Sequence, residues 1–339
     1  MHFVKKLYIF APSLNLINIM ANCKPYVIGI DMGGTNTIIG AVDARGKIVA
    51  STAVKTKDYI EFEDFTDALV KACRRVMSDA GGAKMFAGIG IGAPNANYYT
   101  GNIEHAANLP WKGIVPFAKL LSEATGLPVS LTNDANAAAI GEATYGVAKG
   151  MKDFIMITLG TGVGSGIYCN GKLLYGSDGN AGELGHVVVR RNGRQCGCGN
   201  KGCLECYTSA TGIVRTAREF LANDKTTPTL LRNYKEEEIT GKIITDCARQ
   251  GDKMANDIFV ETGTILGEAL ADFVKFSSPE AIVLFGGLSQ AGDLIHVPTA
   301  KAMNDNLMPV FKGKVKLLQS SLIGANAAIL GASALAWEL

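Results

Sequence analysis

Two stretches of this chain are written on one plan, and that repetition constrains the fold more than any other feature. The first opens with Tyr26–Asp31 (YVIGID), a β-rich run ending in an acid, followed by Gly33-Gly34-Thr35. A strand over Thr37–Val42, a turn over Asp43–Lys47 and a strand over Ile48–Val54 follow. The second opens with a strand at Phe154–Leu159 and the loop Gly160-Thr161-Gly162-Val163-Gly164. A strand over Ser165–Cys169, the turn Asn170-Gly171-Lys172 and a strand over Leu173–Tyr175 complete it. The Gly-Lys turn falls 15 residues after Asp31 and 13 after Thr158. An internal duplication is therefore expected, with two α/β halves on one plan.

Between the repeats, Phe65, Leu69, Ala72 and Val76 recur at helical spacing within Phe62–Asp79. Phe86–Ile91 reads as a buried strand running into Gly92-Ala93-Pro94. Phe117–Thr125 reads as a helix stopped by Gly126 and Pro128. The short strand Val129–Thr132 leads into Asn133-Asp134 and an alanine-rich helix, Ala135–Tyr145. From Tyr207 the pattern is mostly helical, with one more strand, Ala281–Phe285, ending in Gly286-Gly287, and a final helix over about Ala325–Glu338. Alternating strands and helices predict sheets with helices on their faces, and two such halves leave a cleft, a preferred ligand site.

At about 150 residues per domain, 339 residues make two domains. The division expected is 26–134, then 135–324, with the last helix (325–339) packing back on the first. Residues 1–25 are expected to be a disordered extension, with Met20 as the true start. Hydrophobic residues at 47% and charged residues at 19% describe a globular chain. A net charge of +2 with no basic block argues against a nucleic-acid partner. No later run of about 18 uninterrupted apolar residues offers a membrane span, and a cytoplasmic location is expected.

Glycine is abundant, 40 residues, and 13 of them crowd into the 43 positions 160–202, where an even spread would place about 5. Both glycine loops follow strands, where backbone N–H groups meet an anion without a Cβ in the way. Thr35 and Thr161 add hydroxyl donors, and Asp31 beside them makes sense with a divalent cation between it and a phosphate. Neither loop has the Walker form or opens a helix as GxGxxG, which excludes both of those nucleotide readings. The competing reading is two ordinary hairpin turns.

Four of the eight cysteines lie between 196 and 206. His186 followed by Cys196, Cys198 and Cys203 makes a closed tetrahedral set for a structural zinc, with Cys206 as a competing ligand. Asp134, right after a strand, reads from spacing first as a helix N-cap and second as a general base facing the cleft. Glu183 and Glu205 flank the zinc loop, and carboxylates and amides, including Asn108 and Asn133, suit a polyhydroxylated ligand. Each alone also reads as an ordinary surface or turn residue.

Together, Asp31-Met-Gly-Gly-Thr35, Asn108-Leu-Pro, Asn133-Asp134-Ala-Asn136, Leu159-Gly-Thr-Gly-Val-Gly164, Glu183-Leu-Gly-His186 and Cys196-Gly-Cys-Gly-x-x-Gly-Cys203-Leu-Glu205 resemble the ROK family of repressors and sugar kinases. The resemblance runs from about Tyr26 to the C-terminus and is nearest to the family's bacterial glucokinases. It implies an actin-like (ribonuclease H-like) duplicated sugar-kinase fold that phosphorylates a hexose, most simply glucose to glucose 6-phosphate, from Mg²⁺-bound ATP. It implies that Gly33, Gly34, Thr35, Gly160, Thr161, Gly162 and Gly164 clamp the phosphates, with Asp31 beside them and Gly286-Gly287 on the adenosine side. Asp134 is then the general base, and Asn108, Asn133, Glu183, His186 and Glu205 hold the sugar hydroxyls. His186, Cys196, Cys198 and Cys203 hold Zn²⁺.

A homodimer or homotetramer is expected. At Asn95 many members carry a glycine, so the hexose, with N-acetylmannosamine, fructose, mannose and allose as rivals, stays open, as does ATP against polyphosphate. A sugar-responsive regulator is the rival class, but only 25 residues precede the first strand, too few for a helix-turn-helix. An activator ATPase with a thiolate-bound iron–sulfur cluster is a second rival.

Overall fold

The computed structural model describes residues 24–106, 108–322 and 325–339. Its chain opens with three antiparallel strands, β1 (Tyr26–Met32), β2 (Thr37–Asp43) and β3 (Ile48–Val54). Helix α1 (Phe62–Asp79) crosses to β4 (Phe86–Gly92), which runs parallel to β1. A small antiparallel sheet of β5 (Ala96–Asn97), β6 (Asn102–Glu104) and β7 (Ile114–Val115) follows. Helix α2 (Phe117–Thr125) then leads to β8 (Val129–Thr132), parallel to β4, and on into helix α3 (Asp134–Tyr145).

The second half starts again with antiparallel strands, β9 (Phe154–Leu159), β10 (Val163–Cys169) and β11 (Lys172–Leu173). Four helices follow, α4 (Glu205–Thr208), α5 (Ala210–Asn223), α6 (Gly241–Arg249) and α7 (Lys253–Ser277). Strand β12 (Ala281–Phe285) is parallel to β9, and after α8 (Asp293–Asn306) comes β13 (Lys316–Gln319), parallel to β12. Helix α9 (Ala325–Ala336) ends the chain.

The two large sheets have the orders β3-β2-β1-β4-β8 and β11-β10-β9-β12-β13. Strand by strand the order and sense agree, so the repetition in the sequence is a repetition of topology. Two features lie beyond the sequence reading. Strand β13 (KLLQ) is a half-buried edge strand of four residues, and the small sheet has strands of two or three. Runs that short carry no readable period.

Burial explains why β1 is an apolar run and not an alternating one. Ile28, Ile30 and Met32 enter the core with Phe65 and Leu69 of α1, while Val27 packs on the other side with Ile329 and Ala336 of α9. Each such side chain contributes about 1.5–3 kcal/mol on burial. Helix α9 reaches this face closely because the strands offer glycine there. A Cβ on Gly29 would lie 2.2 Å from the Ile329 carbonyl oxygen, and one on Gly90 2.0 Å from that of Ala332. Helix α3 packs on α9, on β4 and on β9 and β10, so it bridges the two sheets.

The expected extension lies, up to Cys23, outside the described residues. Among the described residues no helix is long and apolar enough to cross a membrane.

Candidate active site

Parallel strands of an open α/β sheet expose their carboxyl ends as ligand-binding edges. Here the ends of β1, β4 and β8 in one sheet and of β9 and β12 in the other face a common cleft. Asp31 with Gly33–Thr35, Asn133–Asp134, Gly160–Gly164 and Gly286–Gly287 lie at or just past the ends of β1, β8, β9 and β12, while Asn108, Glu183 and His186 come to the cleft on loops.

Asp134 corrects one expectation. The residue that caps α3 is Asn133, whose Oδ1 accepts the Asn136 amide at 2.7 Å. Asp134 is the first helical residue, so capping does not consume it. Its Oδ1 accepts the amide of Ala135 at 2.8 Å, and its carboxylate opens onto the cleft. Protein atoms crowd it from most directions. That desolvation raises its pKa above the ordinary carboxylate range, against the opposing pull of the backbone amide. Asp31, at the end of β1, is pushed up to about 6, chiefly by burial and further by the charge of Asp134.

Three cavities run through the cleft. A polar one of about 580 Å³ is lined by Asn108, Asn133, Asp134, Glu183 and His186. A central one of about 270 Å³ holds Asp31, Asp134, Gly160 and Gly286. A third, of about 440 Å³, lies against Gly160, Thr161 and Gly287, with Leu288 and Ala291 as its apolar wall. Asp134 lines both the first and the second, and Gly160 both the second and the third. The compartments are thus contiguous, with a carboxylate at one junction and a glycine loop at the other.

Both glycine loops are hairpin connections, β1 to β2 and β9 to β10. Gly33, Gly34 and Thr35 turn beside Asp31, with the Gly33 amide bonded to the Asn36 carbonyl at 3.0 Å. Gly162 lies against Glu205, and Gly164 faces the polar cavity. The α5 N-terminus supports the second loop. The Ala210 amide donates to the Gly160 carbonyl at 2.8 Å, and the Thr211 hydroxyl to that of Thr161 at 2.9 Å.

Glu205 is the residue the structure does not bring to the polar cavity. Its Oε2 accepts the Val163 amide at 3.0 Å, and its Oε1 lies 3.8 Å from the Cys196 sulfur. Sequence reasoning also passed over residues that do line the cleft. They are Glu104, His105 and Asn180 on the polar side and Lys242, Arg249 and Gln290 in the third cavity. None sits in a local pattern that separates it from a surface residue.

His186, Cys196, Cys198 and Cys203 converge, with one ligand atom from each lying within 4.8 Å of all the others. A tetrahedral zinc with Zn–S of about 2.3 Å and Zn–N of about 2.0 Å requires S–S edges near ~3.8 Å and S–N edges near ~3.6 Å. Cys198 Sγ to Cys203 Sγ is 3.7 Å, and Cys196 Sγ to His186 Nδ1 is 3.6 Å. The donor set therefore fits the ion. Cys206 points elsewhere, to the Gln195 carbonyl at 3.6 Å. The other His186 nitrogen, Nε2, faces Glu183 Oε2 at 4.0 Å.

Asn95 adopts φ +52°, a left-handed conformation that asparagine tolerates better than most residues. The turn can thus keep its backbone without glycine, and the Asn95 Nδ2 donates to the Glu104 carbonyl at 3.0 Å.

Comparison with known proteins agrees with this architecture. The chain is 34% identical to a glucokinase of Thermotoga maritima over 316 residues, 93% of this chain and 98% of that one. A crystal structure of a ROK family glucokinase from Streptomyces griseus in complex with glucose and AMPPNP matches with a TM-score of 0.77 and 35% identity, covering 93% of this chain and all of that one. A ROK family transcriptional regulator, a homologue of the E. coli MLC protein, matches with a TM-score of 0.82 and 26% identity, covering 94% of this chain and 78% of that one. Kinase and regulator share the fold, which is the actin-like ATPase fold, so activity has to be argued from the site. The ROK family model matches residues 27–338, and with the duplicated sheets and the Cys/His cluster in place, the chain belongs to the ROK family.

Proposed function

We propose that this protein is an ATP-dependent hexokinase that converts glucose to glucose 6-phosphate. The observation that carries the reading is the position of Asp134, the carboxylate shared by the polar and central cavities. The glucokinase relatives support glucose as the substrate and ATP as the donor.

In this reading Asn108, Asn133, Glu183 and His186 hold the sugar hydroxyls in the polar cavity. Asp134 takes the proton from the 6-hydroxyl as that oxygen attacks the γ-phosphate, the work of a general base. The backbone amides of the two glycine loops receive the phosphates, and the third cavity takes the nucleoside. Mg²⁺, when bound with ATP, supplies neutralising charge, and Asp31 is the acid beside the first loop. Little covalent chemistry is asked of the chain, so positioning carries most of the rate.

His186, Cys196, Cys198 and Cys203 would hold a structural zinc that fixes the loop on which His186 faces the sugar. Glu205 acts, on its contacts, through the 160–164 loop. The two lobes are 26–134 and 135–324, with 325–339 returning to the first, a division favoured by the two sheets and by the seat of α9 on β1 and β4. A homodimer or homotetramer in the cytoplasm completes the proposal, and light scattering tests the assembly.

The deciding experiment is ADP release, coupled to NADH oxidation, across a panel of hexoses. Turnover with glucose above the other sugars is expected. No turnover with any sugar would sink the kinase reading.

A further inference from the structure

The polar cavity has walls from both halves of the chain, and one buried side chain ties them together. Asn97, at the end of β5, is 6% exposed. Its Oδ1 accepts the amides of Tyr99 at 3.0 Å and Thr100 at 3.3 Å, which turns its own loop. Its Nδ2 donates to the carbonyl of Asp178 at 2.8 Å, 81 residues away in the second half. Two neighbours reach across as well. The Tyr98 ring stacks on Tyr175 at 4.0 Å, and the Tyr99 hydroxyl donates to the Gly176 carbonyl at 3.0 Å.

The receiving loop fits this contact. Gly179 has φ +88°, and a Cβ there would lie 2.7 Å from the Asn97 Oδ1. Asn180, which lines the polar cavity, donates through its Nδ2 to the same Asp178 carbonyl at 3.4 Å. At its far end the loop is held within its own half by Ser165, whose hydroxyl donates to the Gly182 carbonyl and accepts the Leu184 amide at 3.2 Å. The segment carrying Gly179, Asn180 and Glu183 is therefore pinned at one end to its own sheet and at the other to the opposite half.

We propose that Asn97 is a positioning residue for sugar binding. It sets the 176–183 wall of the polar cavity in register with the wall that carries Asn95, Glu104 and Asn108, without touching the sugar itself. The inference rests on the hexokinase reading for its ligand. None of its contacts lines the third cavity, so the latch is expected to govern sugar affinity and to leave nucleotide affinity unchanged.

The test is Asn97→Asp, which keeps the Oδ1 acceptor for Tyr99 and Thr100 and replaces the donor to Asp178 with an oxygen that repels the carbonyl. The expected result is a rise of about tenfold in the KM for glucose with the KM for ATP within about twofold. Hydrogen exchange of the 176–183 amides should accelerate in the same variant, which requires no turnover to read. Tyr99→Phe, at a 58% exposed side chain, keeps the test decisive if the buried variant folds poorly. It should raise the glucose KM by about threefold. An unchanged glucose KM, equal shifts in both KM values, or unchanged exchange over 176–183 would overturn the inference. If the unmodified protein turned over no hexose, the kinase reading would fall, and the exchange measurement would still decide whether Asn97 holds the loop.

Discussion

Asp31 offers the sharpest test of how the cleft is built. Burial and the charge of Asp134 push its carboxyl from 3.8 to about 6. At about 1.4 kcal/mol per pH unit this is worth roughly 3 kcal/mol, and water in the cavity reduces it to about 2 kcal/mol. The sign follows from linkage. A carboxyl whose folded pKa is raised stabilises the fold relative to its ionised form below the unfolded value of 3.8, and that advantage is lost as pH rises through about 6. At pH 8 the ligand-free protein thus carries an ionised Asp31 at a cost.

Asp31→Asn keeps the shape and removes the charge. In EDTA and without nucleotide, the variant should melt about 3 °C above the parent at pH 8. The gap should shrink steadily below pH 6 and be nearly gone at pH 4. Scanning calorimetry at three pH values measures it. A variant no more stable than the parent at pH 8, or a gap that ignores pH, would refute the account of Asp31 as a buried charge held for function. With Mg·ATP the order should reverse, because the parent alone has the carboxylate for the cation.

Other expectations concern the chemistry and the loops. Asp134→Asn should lower kcat by roughly 10²–10⁴-fold while calorimetric glucose binding survives; near-normal turnover would remove the base assignment. Metal analysis should find one zinc per chain in the parent and in Cys206→Ser, and a clear loss in Cys203→Ser. The opposite pattern would make Cys206 the ligand. Gly162→Ala places a Cβ 2.1 Å from Glu205 Oε2, so the bond to the Val163 amide must break. A cost of about 1.5 kcal/mol, roughly tenfold in the KM for ATP, is expected, with glucose affinity little moved.

Much of the fold was legible because its signals are local. Phe62–Asp79 has the bounds its apolar spacing predicted, and Phe117–Thr125 and Val129–Thr132 have the bounds marked by Gly126, Pro128 and Asn133-Asp134 around them. The Cys/His spacing assembled the cluster that it indicated, because a short glycine-rich loop leaves few other ways to bring three sulfurs together. Strand β13 and the small sheet escaped because residues that short lean on neighbours far along the chain. The cap was misread by one position, since Asn133 and Asp134 are both good N-caps and only the helix register chooses between them.

By itself, then, the amino-acid sequence determined the duplicated plan, the glycine loops at strand ends, the zinc-type donor set and the family. These depend on residue type and near spacing. Tertiary structure alone decided that Asn133 and not Asp134 caps α3, that Glu205 braces the 160–164 loop instead of lining the polar cavity, and that Asn97 finds its partner 81 residues away. Those outcomes follow from how two sheets bridged by α3 and α9 come together. A hydrogen bond across a cleft is set by that packing, and no local pattern records it.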